Sequence, residues 1–273
     1  LLVHNKIFRK TPVAACLREP SCRGPLAVAH RTGGFDAPEN SVGGVLRAQQ
    51  ASIPLIETDI RFAQDGTWVM LHDETLDRTT TMKGPVAARS WDELKNARLA
   101  NGESLPRFED IYAASRGRSV LVLDLKVNAV EGVADWISRN GSFDDLIFFA
   151  SDALTLSSCA QARAKYPDML VMVRVEDGLG WKEAQAAYGG RLPLIVHPNF
   201  PEPGVGDSLH ARGSKLYASL TGHDRVPGWR QDAALLLVKR GADLIDTDNP
   251  SWLRSLLDGN LEPAAALFSS KIP

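Results

Sequence analysis

From residue 24 onward, short runs of β-branched and aliphatic residues alternate with longer stretches in which apolar residues return at helical spacing. Such runs, bounded by turn residues, predict buried strands, and the stretches between them predict helices with one apolar face. The strands fall at 26–30, 55–60, 119–126, 146–150, 169–175, 194–197, 216–219 and 244–247. The helices fall at 41–51, 107–115, 129–139, 153–165, 181–188 and 229–240. Asn40 is the expected cap of the first helix.

Strands separated by helices make a parallel sheet of the α/β class, and eight such units in about 250 residues match a (β/α)8 TIM barrel. An open doubly wound sheet is the alternative, but the first strand is followed by His30-Arg31-Thr32-Gly33-Gly34 and not by a glycine-rich phosphate loop. Residues 1–23 read as an N-terminal extension and 24–273 as a single barrel domain. The second strand and its helix are separated by an insertion at about 61–105, with a turn at Asp65-Gly66, an apolar run at 68–71, and Ser90 with Glu93 spaced as a capping box. In a barrel the loops after the strands carry the chemistry, so this insertion is expected to build part of a pocket wall.

Composition narrows the classes of function. With 273 residues, 44% of them hydrophobic, the chain can bury a substantial core. Its 31 basic residues against 33 acidic ones leave no excess to neutralise a phosphate backbone, so no nucleic-acid partner is expected. No apolar run is long enough for a transmembrane segment. The chain opens on Leu1 without the basic stretch, apolar core and cleavage site of a secretory signal, as expected of a processed chain. Cys16 and Cys22 lie in a proline-containing segment that reads as loop. They form either a disulfide, which would fit a periplasmic or secreted protein, or two thiols, which would fit the cytoplasm. Cys159 falls in a helical stretch as a buried, inert thiol.

The candidate chemistry lies at predicted strand ends. Glu57 and Asp59 are two apart on a strand and project from the same face; Asp124 and Lys126 repeat the arrangement on the next. Buried carboxylates require a cation. Oxygen donors without Cys or clustered His favour one divalent cation, Mg²⁺ or Ca²⁺, while a network of ion pairs with Arg61 and Lys126 is the alternative. His30 and His72 end a strand and an apolar run beside this group, which suits general acid and base catalysis. Arg31 and Lys126 suit a phosphoryl group, so an anionic substrate is expected. His197 ends a strand, His223 and Asp224 follow another, and Trp252 suits either helix packing or a pocket lid.

Several motifs in order resemble the glycerophosphodiester phosphodiesterase family: His30-Arg31, Pro38-Glu39-Asn40, Glu57-Thr58-Asp59, His72-Asp73 with Leu76, Arg78 and Thr79-Thr80, Asp124-Leu125-Lys126, and Asp246-Thr247-Asp248-Asn249-Pro250. The resemblance is dense over 26–86 and implies a TIM barrel with an insertion after the second strand. It also implies a divalent metal on Glu57, Asp59 and Asp124, a catalytic pair of His30 and His72, and phosphate binding by Arg31 and Lys126. Glu39, Asp73 and Asp248 take supporting places behind these groups. The implied reaction is attack by a glycerol hydroxyl on phosphorus, a cyclic phosphate, and its hydrolysis to glycerol 3-phosphate and an alcohol. The same chemistry on a lysophospholipid, as in a lysophospholipase D, and a barrel that binds a phosphodiester without turning it over are the alternatives. For a lipid, Phe200-Pro201, Val205 and Trp229 are candidates for an apolar groove. Two departures stand out. Asp124 stands where the family commonly has Glu, as in the related sphingomyelinase D barrels. Residues 217–221 read Tyr-Ala-Ser-Leu-Thr where the family often carries a Trp-Thr-Val-Asn run.

Overall fold

The structure is a computed structural model and describes residues 12–33, 36–175, 178–190, 194–198, 201–222 and 227–259. Eight parallel strands form the barrel: β1 (Leu26–Ala29), β2 (Leu55–Phe62), β4 (Val120–Leu125), β5 (Leu146–Ala150), β6 (Leu170–Val175), β7 (Ile195–Pro198), β8 (Lys215–Ser219) and β9 (Leu244–Thr247). Their order around the barrel is β1-β2-β4-β5-β6-β7-β8-β9, and pairing of β9 with β1 closes it. The ninth strand, β3 (Trp68–Met70), is antiparallel to β2 and belongs to the insertion. Closure decides between the two sheet architectures in favour of the barrel.

Alternation along the strands explains how the interior is filled. Val28, Leu55, Val120, Val122, Ile147, Leu170, Met172, Ile195 and Leu244 form one buried cluster inside the barrel. Their neighbours one residue along, such as Ala29, Ile56, Leu121, Leu123, Val171 and Val196, pack outward under the helices. The interior positions change character towards the C-terminal ends, where Glu57, Asp59, Asp124, Arg174, His197 and Asp246 continue the same parity. The apolar half closes the bottom of the barrel, and the polar half opens at its top.

The outer layer holds α2 (Val42–Gln50), α4 (Phe108–Ser115), α5 (Val130–Asn140), α6 (Ala153–Lys165), α7 (Gly178–Ala187), α8 (Val205–His210), α9 (Pro227–Lys239) and α10 (Pro250–Gly259). Local capping explains several of their starts: Asp152 accepts from the amide of Thr155 at 2.7 Å to begin α6. The start of α2 differs from expectation. Ser41, not Asn40, is its cap, accepting from the amide of Gly44 at 2.9 Å. Gly44 lets this helix start lie against Thr32, since a Cβ there would collide with the Thr32 side chain.

The segment before the barrel also differs from the expected loop. Residues Pro12–Arg18 form a short helix, α1, whose Ala14 and Leu17 join the interior cluster at the bottom of the barrel. Arg18 fastens it to Asp144 at 2.6 Å and to the carbonyl of Asp168 at 2.7 Å. Cys16 and Cys22 form a disulfide, and the carbonyls of Glu19 and Cys22 accept from the buried Lys215 ammonium. Cys159 is free and buried.

The insertion has its own small core. Ala63, Val69, Leu71, Leu76, Val86, Leu94, Ala97, Leu99 and Leu105 pack together, with Ser90 and Glu93 exchanging hydrogen bonds at the start of α3 (Trp91–Leu94). A loop with its own packed core can hold a side chain at fixed geometry.

Candidate active site

Residues at the C-terminal ends of the strands surround a cavity of about 610 Å³, a size suited to a small molecule. On one side stand Glu57 and Asp59 of β2 and Asp124 of β4, each buried. The register pairs Asp59 directly with Asp124 across adjacent strands, and one oxygen from each of the three carboxylates lies within 4.8 Å of the others.

This cluster is short of positive charge. Lys126 reaches Asp124 at 2.6 Å and Asp59 at 3.3 Å, and Arg31 lies 3.7 Å from Asp59. Arg61, an expected counter-ion, instead donates to the carbonyl of His72 at 2.9 Å and fixes the insertion to β2. Burial, then the neighbouring Asp59 carboxylate, push the Glu57 carboxyl well above its usual range. Asp124 Oδ1 is buried without a hydrogen-bond partner. An orphaned carboxylate oxygen among crowded carboxylates fits a hard divalent cation, which takes several oxygen donors.

His30 leaves β1 in a single 3₁₀ turn, His30–Thr32, in which Arg31 and Thr32 take left-handed backbone angles of φ 52° and 59°. Strain of this kind is held by surrounding bonds. Here the amide of Arg31 donates to Glu57 Oε2 at 2.7 Å, and the amide of Asn40 donates to the Arg31 carbonyl at 2.7 Å. Asp248 holds His30 Nδ1 at 2.7 Å, which turns Nε2 towards Glu57 Oε2 at 4.0 Å. Burial alone would lower the His30 pKa, but Asp246, Asp248 and Glu57 overcome it and raise it to about 10.

His72 reaches the same cavity from the insertion. Its Nδ1 contacts Asp73 Oδ1 at 2.8 Å, and Arg78 grips both Asp73 oxygens and, through two further bonds of 2.7 Å, both oxygens of Glu39. The hydrogen bonds from Arg78 hold the Asp73 carboxyl far below the usual range. Glu39 in turn lies 3.7 Å from Arg31. Each histidine therefore has a carboxylate behind one ring nitrogen, an arrangement that sets the tautomer and ring direction.

The structure thus brings His30, His72, Glu57, Asp59, Asp124, Arg31 and Lys126 to one cavity, with Glu39, Asp73 and Asp248 behind them. Asp246 and Arg174 also line it and were not singled out from the sequence for a role. A charged residue inside an otherwise apolar strand run, as Arg174 is, was the available signal. His197 lines the cavity and is buried. Trp252 packs against the core under Arg230, which places it in helix packing. Val205 and Trp229 are not among the described residues that line this cavity, and Trp229 is 73% exposed. Phe200, His223 and Asp224 lie outside the described residues.

The chain resembles known proteins in sequence and in fold. Residues 30–140 match the glycerophosphoryl diester phosphodiesterase family. The chain is 28% identical to the uncharacterised protein YqiK of Bacillus subtilis over 84% of its own length and 97% of that protein. It is 33% identical to a probable glycerophosphodiester phosphodiesterase 2 of Mycobacterium tuberculosis, over 42% of this chain and 44% of that one. Among solved structures, a glycerophosphoryl diester phosphodiesterase from Parabacteroides distasonis superposes with a TM-score of 0.77 at 25% identity, covering 90% of each chain.

Proposed function

We propose, on the premise that this chain belongs to the glycerophosphoryl diester phosphodiesterase family, that it hydrolyses glycerophosphodiesters to glycerol 3-phosphate and an alcohol. The observation that carries the reading is the placement of two carboxylate-backed histidines and two cations around one acidic cluster in one cavity. A binding protein needs no pair of proton-transfer groups.

Glu57, Asp59 and Asp124 would hold one divalent cation, Mg²⁺ or Ca²⁺, with Asp124 Oδ1 as the open donor. When bound, such a cation supplies charge stabilisation to the phosphate oxygens. Arg31 and Lys126 bind and orient the phosphate beside it. One histidine takes the proton from the glycerol hydroxyl as its oxygen bonds to phosphorus, and the other protonates the oxygen of the departing alcohol as that P–O bond breaks. The cyclic phosphate that results is opened by water with the two histidines in exchanged roles. Asp248 and Asp73 keep each ring aimed at the cavity during both steps.

The Cys16–Cys22 disulfide supports a place in an oxidising compartment, such as a periplasm or the exterior. A ³¹P NMR time course with glycerophosphoglycerol, with Mg²⁺ or Ca²⁺ and again with EDTA, tests the function. Metal-dependent appearance of glycerol 3-phosphate, lost in both His30→Ala and His72→Ala, is the expected result. Turnover that survives both substitutions would overturn the histidine assignment.

A further inference from the structure

The strand that carries Glu57 and Asp59 also holds the main chain of His72. Its pairing with β4 ends at Ile60, but β2 goes on through Arg61 and Phe62, where it pairs with β3, Ile60 opposite Met70 and Arg61 opposite Val69. Being antiparallel, β3 brings the chain back along β2, and Leu71 and His72 follow it directly. Two contacts hold the chain there. The amide of Leu71 donates to the Asp59 carbonyl at 3.1 Å, and Arg61 Nε donates to the His72 carbonyl at 2.9 Å. Asp59 thus binds the approach to the histidine through its backbone, while its carboxylate belongs to the acidic cluster.

A guanidinium two residues past Asp59 is placed by strand periodicity to neutralise that cluster. The ion pairs to Asp59 and Asp124 come instead from Arg31 and Lys126. Arg61 is also not among the described residues that line the cavity. Its hydrogen bond goes to the main chain, and a charged donor holds a carbonyl more tightly than a neutral one. Control of His72 is therefore divided. Asp73, at Nδ1, sets which way the ring turns, and Arg61, at the carbonyl, sets where the residue stands relative to β2 and its carboxylates. Displacement of a reacting group costs rate steeply even when its chemistry is intact.

We propose that Arg61 is a positioning residue for proton transfer at His72, and that it acts through the hydrogen bond from Nε and not through its charge. The proposal rests on the phosphodiesterase reading and on the role that reading gives His72. It adds the contact that fixes this histidine against the strand of the acidic cluster.

Three variants separate the bond from the charge. Arg61→Gln puts an uncharged amide donor where Nε stood, Arg61→Met keeps a stem of that reach without donor or charge, and Arg61→Ala removes the stem as well. The ring ¹H–¹³C signals of the six histidines, with that of His72 assigned by its loss in His72→Ala, report position without turnover. The His72 signal should stay in place in Arg61→Gln and shift or broaden in Arg61→Met and Arg61→Ala. On glycerophosphoglycerol, kcat should fall about tenfold in the methionine and alanine variants. The glutamine variant should stay within about threefold of wild type, since it keeps the bond. KM should change by less than about twofold in all three, because the residue acts on the reacting group and not on binding. Calorimetric titration with Mg²⁺ counts the folded sites to which each kcat is referred, and its affinity should match in all four proteins. Equal losses in Arg61→Gln and Arg61→Met, or an altered Mg²⁺ affinity in both, would show that the charge matters and overturn the proposal. An unmoved His72 signal in Arg61→Met and Arg61→Ala would overturn it as well. Absence of turnover by the wild type would instead overturn the phosphodiesterase reading, and the His72 signal would still decide whether Arg61 holds that residue.

Discussion

Asn40 holds Asp59 at two points. Its Nδ2 donates to Asp59 Oδ2 at 2.8 Å, and its Oδ1 accepts from the Asp59 amide at 2.9 Å while also accepting from Thr58 Oγ1 at 2.7 Å. Asn40 itself takes a left-handed backbone angle, φ 53°, and is buried. A side chain satisfied on both ends in a strained backbone position is fixed in orientation, and so is the carboxylate it grips. Asn40→Ala should therefore weaken divalent metal affinity by about 10- to 100-fold. Calorimetric titration with Mg²⁺ and Ca²⁺ reads this directly, and unchanged affinity would remove Asn40 from the metal site.

The crowding of carboxylates around Glu57 has an opposite effect on the metal-free protein. Burial and the Asp59 charge disfavour ionised Glu57, so a neutral isostere relieves the site. Glu57→Gln should raise the unfolding midpoint in EDTA, by about 1 kcal/mol of stability. In wild type, added Mg²⁺ or Ca²⁺ should raise the midpoint, and in Glu57→Gln it should not. Differential scanning fluorimetry on the two proteins, with and without metal, separates the two effects.

Arg78 joins Asp73 of the insertion to Glu39, which lies 39 residues before Arg78 in the sequence. Removing it leaves His72 with a loosely held partner and Glu39 free to shift against Arg31. Arg78→Ala should lower kcat by about tenfold or more with a small change in KM, as misplacement of a reacting group does. Arg78→Lys should recover part of the loss, since a single ammonium cannot grip both carboxylates through paired bonds.

His197 makes stability depend on acidity. Its pKa is lowered to about 4 in the folded protein by burial and by Arg174, against about 6.5 in the unfolded chain. Between those values the unfolded state binds the proton and the folded state does not. Its contribution is therefore complete above about pH 6.5 and is lost as pH falls through about 4, amounting to up to about 3 kcal/mol. Urea unfolding of wild type and His197→Gln over this range should show a shallower pH slope for the variant.

The Cys16–Cys22 disulfide closes a short loop, with a sequence separation of 6, at the end of the barrel away from the cavity. Chain entropy assigns such a loop about 2 kcal/mol. Reduction should lower the melting midpoint by roughly 5 °C while leaving kcat/KM on glycerophosphoglycerol unchanged. A large loss of activity on reduction would mean that α1 is coupled to the catalytic end.

Much of this protein was determined by local pattern in the sequence. The runs at 146–150 and 244–247 become strands with the predicted bounds, because strands buried on both faces are written as unbroken apolar runs. Glu57 and Asp59 share a face because a strand repeats every two residues, whatever surrounds it. The helix at 153–165 begins and ends as its cap and spacing require. Other features depended on the closed barrel. Seven residues are too few to hold a helix alone, and α1 forms where Ala14 and Leu17 meet the apolar bottom of the barrel. Asn40 has the sequence character of a cap, yet the chain turns at Arg31 and Thr32 so that it meets Asp59 instead. Arg174, His197 and Asp246 share a cavity with His30 only because β9 pairs with β1 and closes the circle. Periodicity is a property of neighbours along the chain, whereas the company a side chain keeps across the barrel is set by strand order and closure.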